Sequence, residues 1–480
     1  MKLFTLFISF YLTVFSLVAS EPCAIVIFGA TGDLTARKLL PAIHNLAQEG
    51  NLSEDLIILG ASRNEYSHEE FRSLMQKAVS AHSKKPLDID FWKRFEKKIF
   101  YQQLNFAGDE GYHNLQTLLS QFDQEYGTQG NRLYYLATPP SYFTAVIERL
   151  SNHHLVYPIP HQSWSRVVIE KPFGTDLDSA IELQNLISQH LDESQIYRID
   201  HYLGKEGVQN LLAFRFANTV VEPIWNRQYI DNVQITISED IGIGSRAQFW
   251  EETGYLRDII QNHLMQLLAI VAMEPPTDLS SDNIHQAKIE ALNAIRPISP
   301  HMVVRGQYTQ GMIHGSPVVG YRQEKGVPSQ STVETYVAAK LFIDNDRWRD
   351  VPFYIRGGKR LPYQTAEVVV NLKTNNAIII RIQPHPGIFL GTQAIHQKPQ
   401  QPTPEAYEKL LYDCLNGDSS LFVRGEEQIA AWRILTPILN HWRASGADNI
   451  PSYPSGSWGP IEGEQLLMEQ GHQWLLLEQN

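Results

Sequence analysis

The densest group of polar side chains in the sequence lies at residues 198–206, where Asp200, His201, Tyr202 and Lys205 follow one another closely. If this segment is helical from Asp200, His201 and Lys205 are four residues apart and share one face. Two cationic or donor groups on one face, with the Tyr202 hydroxyl beside them, would hold a phosphate monoester. A charged helix start with Asp200 as its cap is the alternative, and the residue chemistry alone slightly favours it.

A second polar pair, Asp258 and His263, lies on a stretch with a helical pattern. Histidine is the natural base near neutral pH, and a carboxylate beside it fixes its tautomer and stabilises its cation. The chain has 17 histidines, so a histidine on its own is weak support for a site.

Two further cations follow predicted strands. Lys171, in the segment Glu-Lys-Pro-Phe-Gly at 170–174, ends an apolar run, and ligands bind at the carboxyl edge of a parallel sheet. Lys171 could therefore face both a cofactor and a substrate. Lys359 follows a later strand and has no partner that the sequence identifies. No cluster has metal-ligand spacing, so we predict no metal. No Ser or Cys nucleophile motif stands out.

Apolar runs alternate with helical patterns in the first part of the chain. Four of these runs are typical of buried parallel strands. They are residues 23–28, 55–60, 132–136 and 165–170, with helical patterns at 37–49 and 142–150 among the segments between them. Alternation of this kind predicts right-handed crossovers and a Rossmann-like, doubly wound parallel sheet.

The first strand leads directly into a glycine-containing turn, which comprises Gly29, Thr31, Gly32, Asp33 and Leu34. Glycines at this position let the backbone approach a pyrophosphate at the positive end of the following helix. The spacing is GxxG rather than the full GxGxxG, so a plain strand-to-helix turn is the alternative, but the position after the first strand favours cofactor binding.

The second predicted strand is followed by Arg63, where NAD-binding folds usually carry an acidic residue for the ribose hydroxyl. An arginine suits a 2′-phosphate instead, through charge-assisted hydrogen bonds, and therefore favours NADP. An ordinary surface arginine is the competing interpretation.

The pattern changes near residue 198, and we place a domain boundary there, with a cofactor domain at 21–197 and an α+β domain at 198–480. The second domain is predicted to carry a large, mainly antiparallel sheet. Its predicted elements are a helical stretch at 253–271, consecutive antiparallel strands at 332–343, 351–355, 367–372 and 377–382, and a helix at 426–442.

Composition supports a folded, multidomain protein. The chain has 480 residues, 43% of them hydrophobic and 19% charged, which excludes a disordered or fibrous class. Its formal charge of -12 argues against non-specific nucleic-acid binding, which needs a basic surface. Cys23 and Cys414 are the only cysteines, so there is no disulfide framework, and this scarcity fits a reducing compartment.

The first 20 residues have the form of a secretory signal peptide, with Lys2, an apolar run at 3–18 and a small-residue exit at Ala19-Ser20. The run is shorter than the ~20 residues that a membrane span needs. A wrongly chosen start codon, giving an extension that is never translated, is the alternative to export.

Five segments together resemble the glucose-6-phosphate dehydrogenase family, and the resemblance runs over residues 23–460. The nine residues at 198–206 match the family signature residue for residue, and that signature is highly specific. The five segments are 29–34 with 37–39, 170–174, 198–206, 257–258 with 261–264, and 352–356 with 358–361.

The resemblance implies that His263 takes the proton of the C1 hydroxyl of glucose 6-phosphate while hydride leaves C1 for the nicotinamide of NADP. Asp200 would orient His263 and stabilise its imidazolium. The product would be the 6-phospho-lactone, the first product of the oxidative pentose phosphate route. The implied contacts are His201, Tyr202 and Lys205 with the phosphate, Glu239, Asp258 and Lys359 with the sugar, Gln383 with the substrate, Lys171 with substrate and cofactor, and Arg63 with the 2′-phosphate.

The sequence departs from the family pattern in three places. Gln364 stands where many members carry a basic residue, which puts one accessory contact in doubt but not the chemistry. The segment 387–404 does not follow the usual pattern, so its part in assembly is open. Most members lack a signal-like leader.

Two other functions compete with the family assignment. One is a related oxidoreductase acting on an unphosphorylated sugar, against which the pairing of His201 with Lys205 speaks. The other is a non-catalytic nucleotide-binding homologue, which would be expected to have lost His263 or Asp200. The resemblance implies a homodimer or homotetramer built through the large sheet, and the metabolites imply a cytoplasmic location, against which only the leader speaks.

Overall fold

The computed structural model of the chain describes residues 19–397, 405–445 and 450–477. Among these residues, six strands form one sheet in the order β3-β2-β1-β4-β5-β6, and every neighbouring pair is parallel. The strands are β1 (Ala24–Phe28), β2 (Ile57–Ser62), β3 (Ile99–Gln103), β4 (Arg132–Leu136), β5 (Ser165–Ile169) and β6 (Ile196–Arg198). The predicted doubly wound sheet is confirmed; β3 and β6 were not predicted.

The strands of this sheet point alternate apolar side chains to opposite faces. Helices cover both faces, because each face must be shielded from water. In β1, Ala24, Val26 and Phe28 belong to one apolar core, while Ile25 and Ile27 belong to the other. The helical segments are a π-helical turn (Thr35–Leu39), α1 (Leu40–Gln48), α2 (His68–His82), α3 (Ile89–Phe95), α4 (Glu110–Tyr126), α5 (Phe143–Asn152) and α6 (Leu177–Ser188).

The second part of the described chain is built on a nine-stranded sheet in the order β16-β15-β14-β13-β7-β12-β11-β8-β17, with a separate β9–β10 hairpin. The strands are β7 (Ile230–Ser238), β8 (Val303–Thr309), β9 (Gly311–Ile313), β10 (Ser316–Val318), β11 (Tyr336–Leu341), β12 (Phe353–Gly358), β13 (Thr365–Leu372), β14 (Ala377–Gln383), β15 (Gly387–Leu390), β16 (Gln393–Gln397) and β17 (Ser452–Pro454).

The large sheet is mainly antiparallel, as predicted, but the predicted run of consecutive antiparallel strands is wrong at its centre. The strand β7 lies between β12 and β13, parallel to β12 and antiparallel to β13. All nine residues of β7 except Asp231 are buried, so the strand packs as the middle of the sheet and not as an edge.

The helices of this part include one interruption that the sequence did not predict. They are α7 (Glu206–Phe216), α8 (Ala247–Tyr255), a π-helix (Leu256–Leu264), α9 (Met265–Ala272), α10 (Ser281–Asn293), α11 (Ala406–Asn416), α12 (Gly425–Ala444) and α13 (Ile461–Met468). The helical stretch predicted at 253–271 is confirmed, but it is interrupted at Gly254, which has φ 67° and ψ 178°, and it continues as a π-helix. The predicted helix at 426–442 lies within α12.

The connection between β6 and α7 also differs from expectation. The helix begins at Glu206 rather than Asp200, and residues 200–205 form successive turns closed by the Leu203 N–H on Asp200 O and the Lys205 N–H on Tyr202 O. The division into domains at 198 stays a prediction.

Two of the predicted features fall wholly or partly outside the described residues. Residues 1–18 of the leader and residues 398–404 of the atypical segment lie outside the described residues. Within residues 387–397 of that segment, the chain forms β15 and β16 at one edge of the large sheet. No helix within the described ranges has the length and apolar character needed to cross a membrane.

Candidate active site

The glycine-containing turn lies at the carboxyl edge of the parallel sheet, between β1 and the π-helical turn. Gly29 has φ +84°, and a Cβ at this residue would lie 2.3 Å from the backbone oxygen of Ala137 after β4. Only glycine fits this position. The Thr31 hydroxyl donates to Ser62 Oγ at 3.2 Å, which ties the turn to the end of β2. A close-packed turn that opens a helix fits a dinucleotide pyrophosphate.

Arg63 follows β2 at the same edge and is exposed. Its guanidinium lies 5.8 Å from the centre of the Tyr142 ring and 3.4 Å from the Tyr142 hydroxyl. Asp33 is also exposed and pairs with Arg37 at 2.6 Å. The turn and the exposed side chains at this edge therefore fit the binding of a dinucleotide.

The structure brings His263 and Asp200 together although 63 residues separate them in the chain. His263 Nδ1 lies 2.5 Å from Asp200 Oδ1, and both side chains are almost fully buried. The same carboxylate oxygen accepts the Tyr202 N–H at 2.9 Å, which holds Asp200 in place after β6. Because a carboxylate only accepts, the pairing puts the proton of the imidazole on Nδ1 and leaves Nε2 with its lone pair.

Lys171, which follows β5, is the third member of this group. Its ammonium lies 3.0 Å from Asp258 Oδ1 and 3.1 Å from His263 Nε2. An ammonium is only a donor, so this contact assigns the same tautomer to His263 as Asp200 does.

The π-helix explains how Asp258 and His263 reach the same lysine. In an α-helix, residues five apart point about 140° away from each other. A π-helix closes its turns between residues i and i+5, so these two side chains lie on one face. The sequence pattern did not show this, because it is read with the α-helical period.

Burial and neighbouring charges set the protonation states of the pair. Burial alone would raise the pKa of Asp200, but the charge and hydrogen bond of His263 hold that pKa well below its ordinary value. Burial lowers the pKa of His263, and the Asp200 carboxylate offsets only part of this effect. His263 is therefore a neutral imidazole beside an ionised carboxylate near pH 7, the state that a general base requires.

A cavity of about 690 Å³ connects the cofactor turn with the cluster after β6. Its walls include Asp33 and Leu34 of the glycine-containing turn, together with His201, Lys205 and Gln383. Although 200–205 is not helical, the turns still direct His201 and Lys205 into one cavity. The Lys205 ammonium donates to Gln383 Oε1 at the end of β14.

His201 and Lys205 differ in charge. Burial, together with the nearby charges of His263 and Lys171, holds the pKa of His201 well below its ordinary value, so His201 is a neutral donor near pH 7. Burial lowers the pKa of Lys205 to about 8, so Lys205 is the cation. The ammonium lies 3.7 Å from the centre of the Tyr202 ring, and that ring stacks on His263 with centroids 4.3 Å apart. Tyr202 thus contacts both the Lys205 ammonium and the His263 ring.

Sheet register brings Glu239 and Lys359 together. Ser238 of β7 pairs with Gly358 of the parallel strand β12, so the next residue of each strand lies at the same edge. Lys359 Nζ lies 2.9 Å from Glu239 Oε2. Burial would raise the pKa of Asp258, but the nearby charges of Lys171, His263 and Lys359 lower it.

Tyr407, at the start of α11, is a cavity residue that sequence reasoning missed. Its ring lies parallel to that of His201 with centroids 6.5 Å apart, and its hydroxyl donates to Glu170 Oε1 at 3.2 Å. No local motif marks Tyr407.

Ligand atoms of Asp200, His201 and His263 lie within 4.8 Å of one another, a grouping that could in principle hold a metal ion. The hydrogen bond between His263 and Asp200 already uses two of them, and the Lys171 ammonium contacts the other ring nitrogen of His263. The absence of a metal stays a prediction.

Comparison with known proteins gives one family over almost the whole chain. Residues 26–210 match the family description "Glucose-6-phosphate dehydrogenase, NAD binding domain", and residues 212–475 match "Glucose-6-phosphate dehydrogenase, C-terminal domain". The glucose-6-phosphate 1-dehydrogenase of Chlamydia muridarum is 48% identical, covering 96% of this chain and 98% of its own. That of Bacillus subtilis is 41% identical, covering 94% and 97%.

Solved structures agree with the sequence relatives. A glucose-6-phosphate dehydrogenase in complex with its substrate glucose-6-phosphate superposes with a TM-score of 0.85 at 34% identity, covering 95% of this chain and 99% of the other. The glucose-6-phosphate 1-dehydrogenase of Mycobacterium avium gives 0.80 at 33% identity, covering 96% and 100%. The chain belongs to the glucose-6-phosphate dehydrogenase family.

Proposed function

We propose that this protein oxidises D-glucose 6-phosphate at C1 to 6-phospho-D-glucono-1,5-lactone and reduces NADP⁺ to NADPH, the first step of the oxidative pentose phosphate pathway. The observation that carries the proposal is the neutral His263, which is held by Asp200 and shares the Tyr202 ring as a contact with the cation Lys205. One site thus combines a base for a hydroxyl proton with a donor set for a phosphate.

In the proposed reaction, His263 Nε2 accepts the proton of the C1 hydroxyl as the C1–H bond breaks and the C1=O bond forms. Asp200 stabilises the imidazolium that results, because their hydrogen bond becomes an ion pair. Lys171 leaves His263 Nε2 for a substrate oxygen while it keeps Asp258 as its partner. NADP, when bound, supplies the nicotinamide ring that takes the hydride.

The remaining proposed roles divide the substrate between the walls of the cavity. Lys205, His201 and Tyr202 bind the phosphate, and Gln383 orients Lys205. The other proposed contacts are Glu239, Asp258 and Lys359 with the sugar hydroxyls, the turn of Gly29, Thr31, Gly32, Asp33 and Leu34 with the pyrophosphate, Lys171 with both ligands, and Arg63 with the 2′-phosphate.

The test is the formation of reduced cofactor by the purified full chain, with glucose 6-phosphate or glucose crossed against NADP or NAD. We expect activity with glucose 6-phosphate and the highest kcat/KM with NADP. Activity on glucose would favour the unphosphorylated-sugar alternative. No activity with either sugar, although the protein binds NADP, would favour a non-catalytic homologue.

We expect Lys205→Thr to raise KM for glucose 6-phosphate by on the order of 10- to 100-fold, because a charge-assisted phosphate contact is lost. Lys205→Arg is the matched control, since it keeps a cation that does not titrate. Because burial lowers the pKa of Lys205 to about 8, KM of the native protein should rise above that pH and KM of the arginine variant should not. An unchanged KM in Lys205→Thr would refute the phosphate assignment.

We expect Arg63→Ala to reduce the preference for NADP over NAD, because the exposed guanidinium is the proposed partner of the 2′-phosphate. The ratio of kcat/KM for the two cofactors should fall by about tenfold, the value of one charged contact, with the NAD value nearly constant. An unaltered ratio would show that cofactor selectivity depends on other residues.

Assembly and location are proposed by family resemblance and metabolic reasoning. We propose a homodimer or homotetramer built through the large sheet. Light scattering would measure the molar mass and so the number of subunits. We propose a cytoplasmic location because glucose 6-phosphate and NADP are cytoplasmic metabolites. Sequencing the mature N-terminus decides between this and export, since a start near Glu21 would mean that the leader is removed.

A further inference from the structure

We propose that Glu334 is a positioning residue for the reaction, acting through the π-helix that carries Asp258 and His263. This inference rests on the proposed function for its kinetic consequences. Glu334 lies just before β11 and is only 5% exposed. Its Oε1 accepts the Leu256 N–H at 3.0 Å, and its backbone oxygen accepts the Tyr255 N–H at 3.1 Å.

These two contacts satisfy a helix start that has no cap of its own. The first N–H groups of a helix lack partners within the helix. Tyr255, in the N-cap position of the π-helix, makes no side-chain capping hydrogen bond. A π-helix is also a rare conformation that needs support from its surroundings. Glu334 therefore supplies, from another element, the cap that this segment lacks.

Gly254 packs directly against the carboxylate of Glu334. It has φ +67°, and a Cβ built on it would lie 2.5 Å from Glu334 Oε1. The carboxylate occupies the space that a side chain at residue 254 would need. A glycine is thus required both by its backbone conformation and by the position of Glu334.

The backbone next to Glu334 also holds the other side of the site. The oxygen of Thr335 accepts the Lys359 N–H at 2.9 Å, and Lys359 pairs with Glu239. One two-residue segment therefore fixes the start of the π-helix and the backbone of the Lys359 pair. Its disruption should misplace the base relative to the sugar, which lowers turnover more than it weakens binding.

The first experiment compares Glu334→Leu with Glu334→Gln in the full chain. The leucine removes the acceptor, and we expect kcat to fall at least about tenfold, with KM for glucose 6-phosphate and NADP within about threefold of native. The glutamine keeps an acceptor oxygen at the same position and should restore kcat to within about threefold of native. Native kcat in Glu334→Leu, or an equal loss in Glu334→Gln, would overturn the proposal.

A double-mutant cycle covers the case in which Glu334→Leu fails to fold. Gly254→Ala alone should lower kcat, because its methyl group displaces the carboxylate. In combination with Glu334→Ala, which empties that space, its additional effect should be at least about threefold smaller. Fully additive effects would mean that the two residues act independently and would contradict the assignment.

Amide hydrogen exchange separates this inference from the proposed function. In Glu334→Leu, the amides of 255–264 should exchange about tenfold faster while those of α12 stay unchanged. If the native protein does not oxidise glucose 6-phosphate, the proposed function fails, but the exchange result still decides whether Glu334 holds the π-helix. Unchanged exchange in an active protein would reject the role of Glu334 alone.

Discussion

We expect His263→Asn to lower kcat by about 10²–10⁴-fold, the contribution of a general base, with KM for glucose 6-phosphate changed little. His263 Nε2 carries the lone pair of a neutral, buried imidazole, and asparagine offers no group that can take the proton. The proposed phosphate contact is made by Lys205, which the substitution leaves in place. Steady-state kinetics with both ligands varied measures the effect.

The control for this variant is its affinity for ligands. Equilibrium binding of glucose 6-phosphate and of NADP should be close to native, which shows that the cavity is intact. A variant with near-normal turnover would remove His263 from the mechanism, and a neighbouring group would then have to serve as the base.

The second large effect is expected for Asp200→Asn, which should lower kcat by on the order of 10²–10⁴-fold, as when the orienting carboxylate of a base is made neutral. The amide can no longer stabilise the imidazolium that forms when His263 takes the proton. Its NH₂ group can also favour the tautomer with the proton on Nε2, which is unable to act as the base. Rapid-mixing kinetics would show whether the chemical step is the one slowed.

The pH profile of Asp200→Asn gives an independent check. The Asp200 carboxylate raises the pKa of His263 against the lowering effect of burial. Its removal lowers that pKa further, so the acidic limb of kcat/KM should move to lower pH, since the base then stays neutral down to more acidic conditions. A shift to higher pH would contradict the pairing of Asp200 with His263.

Much of the fold could be predicted from local sequence because parallel strands buried on both faces have a simple pattern. The runs that became β1, β2, β4 and β5 are continuous and apolar, and the glycine turn follows the first of them. The short strand β6 and the partly polar strand β3 lack this pattern and were missed.

Long-range pairing could not be predicted in the same way. No local signal tells that β7 returns to the centre of the large sheet, between strands that follow it by more than 100 residues. Because β7 pairs with β12, Glu239 lies beside Lys359. A prediction of consecutive antiparallel strands could not have shown that these two residues are in contact.

The sequence by itself determined which residue types carry the chemistry, because a specific nine-residue cluster and a few short motifs identify the family and its candidate base, carboxylate and cations. Only the tertiary structure decided their geometry and charge. Burial makes His263 and His201 neutral, and the turns after β6 direct Lys205 into the cavity. The π-helix turns Asp258 and His263 to one face, since this conformation depends on contacts with distant groups such as Glu334 and not on the local hydrophobic period.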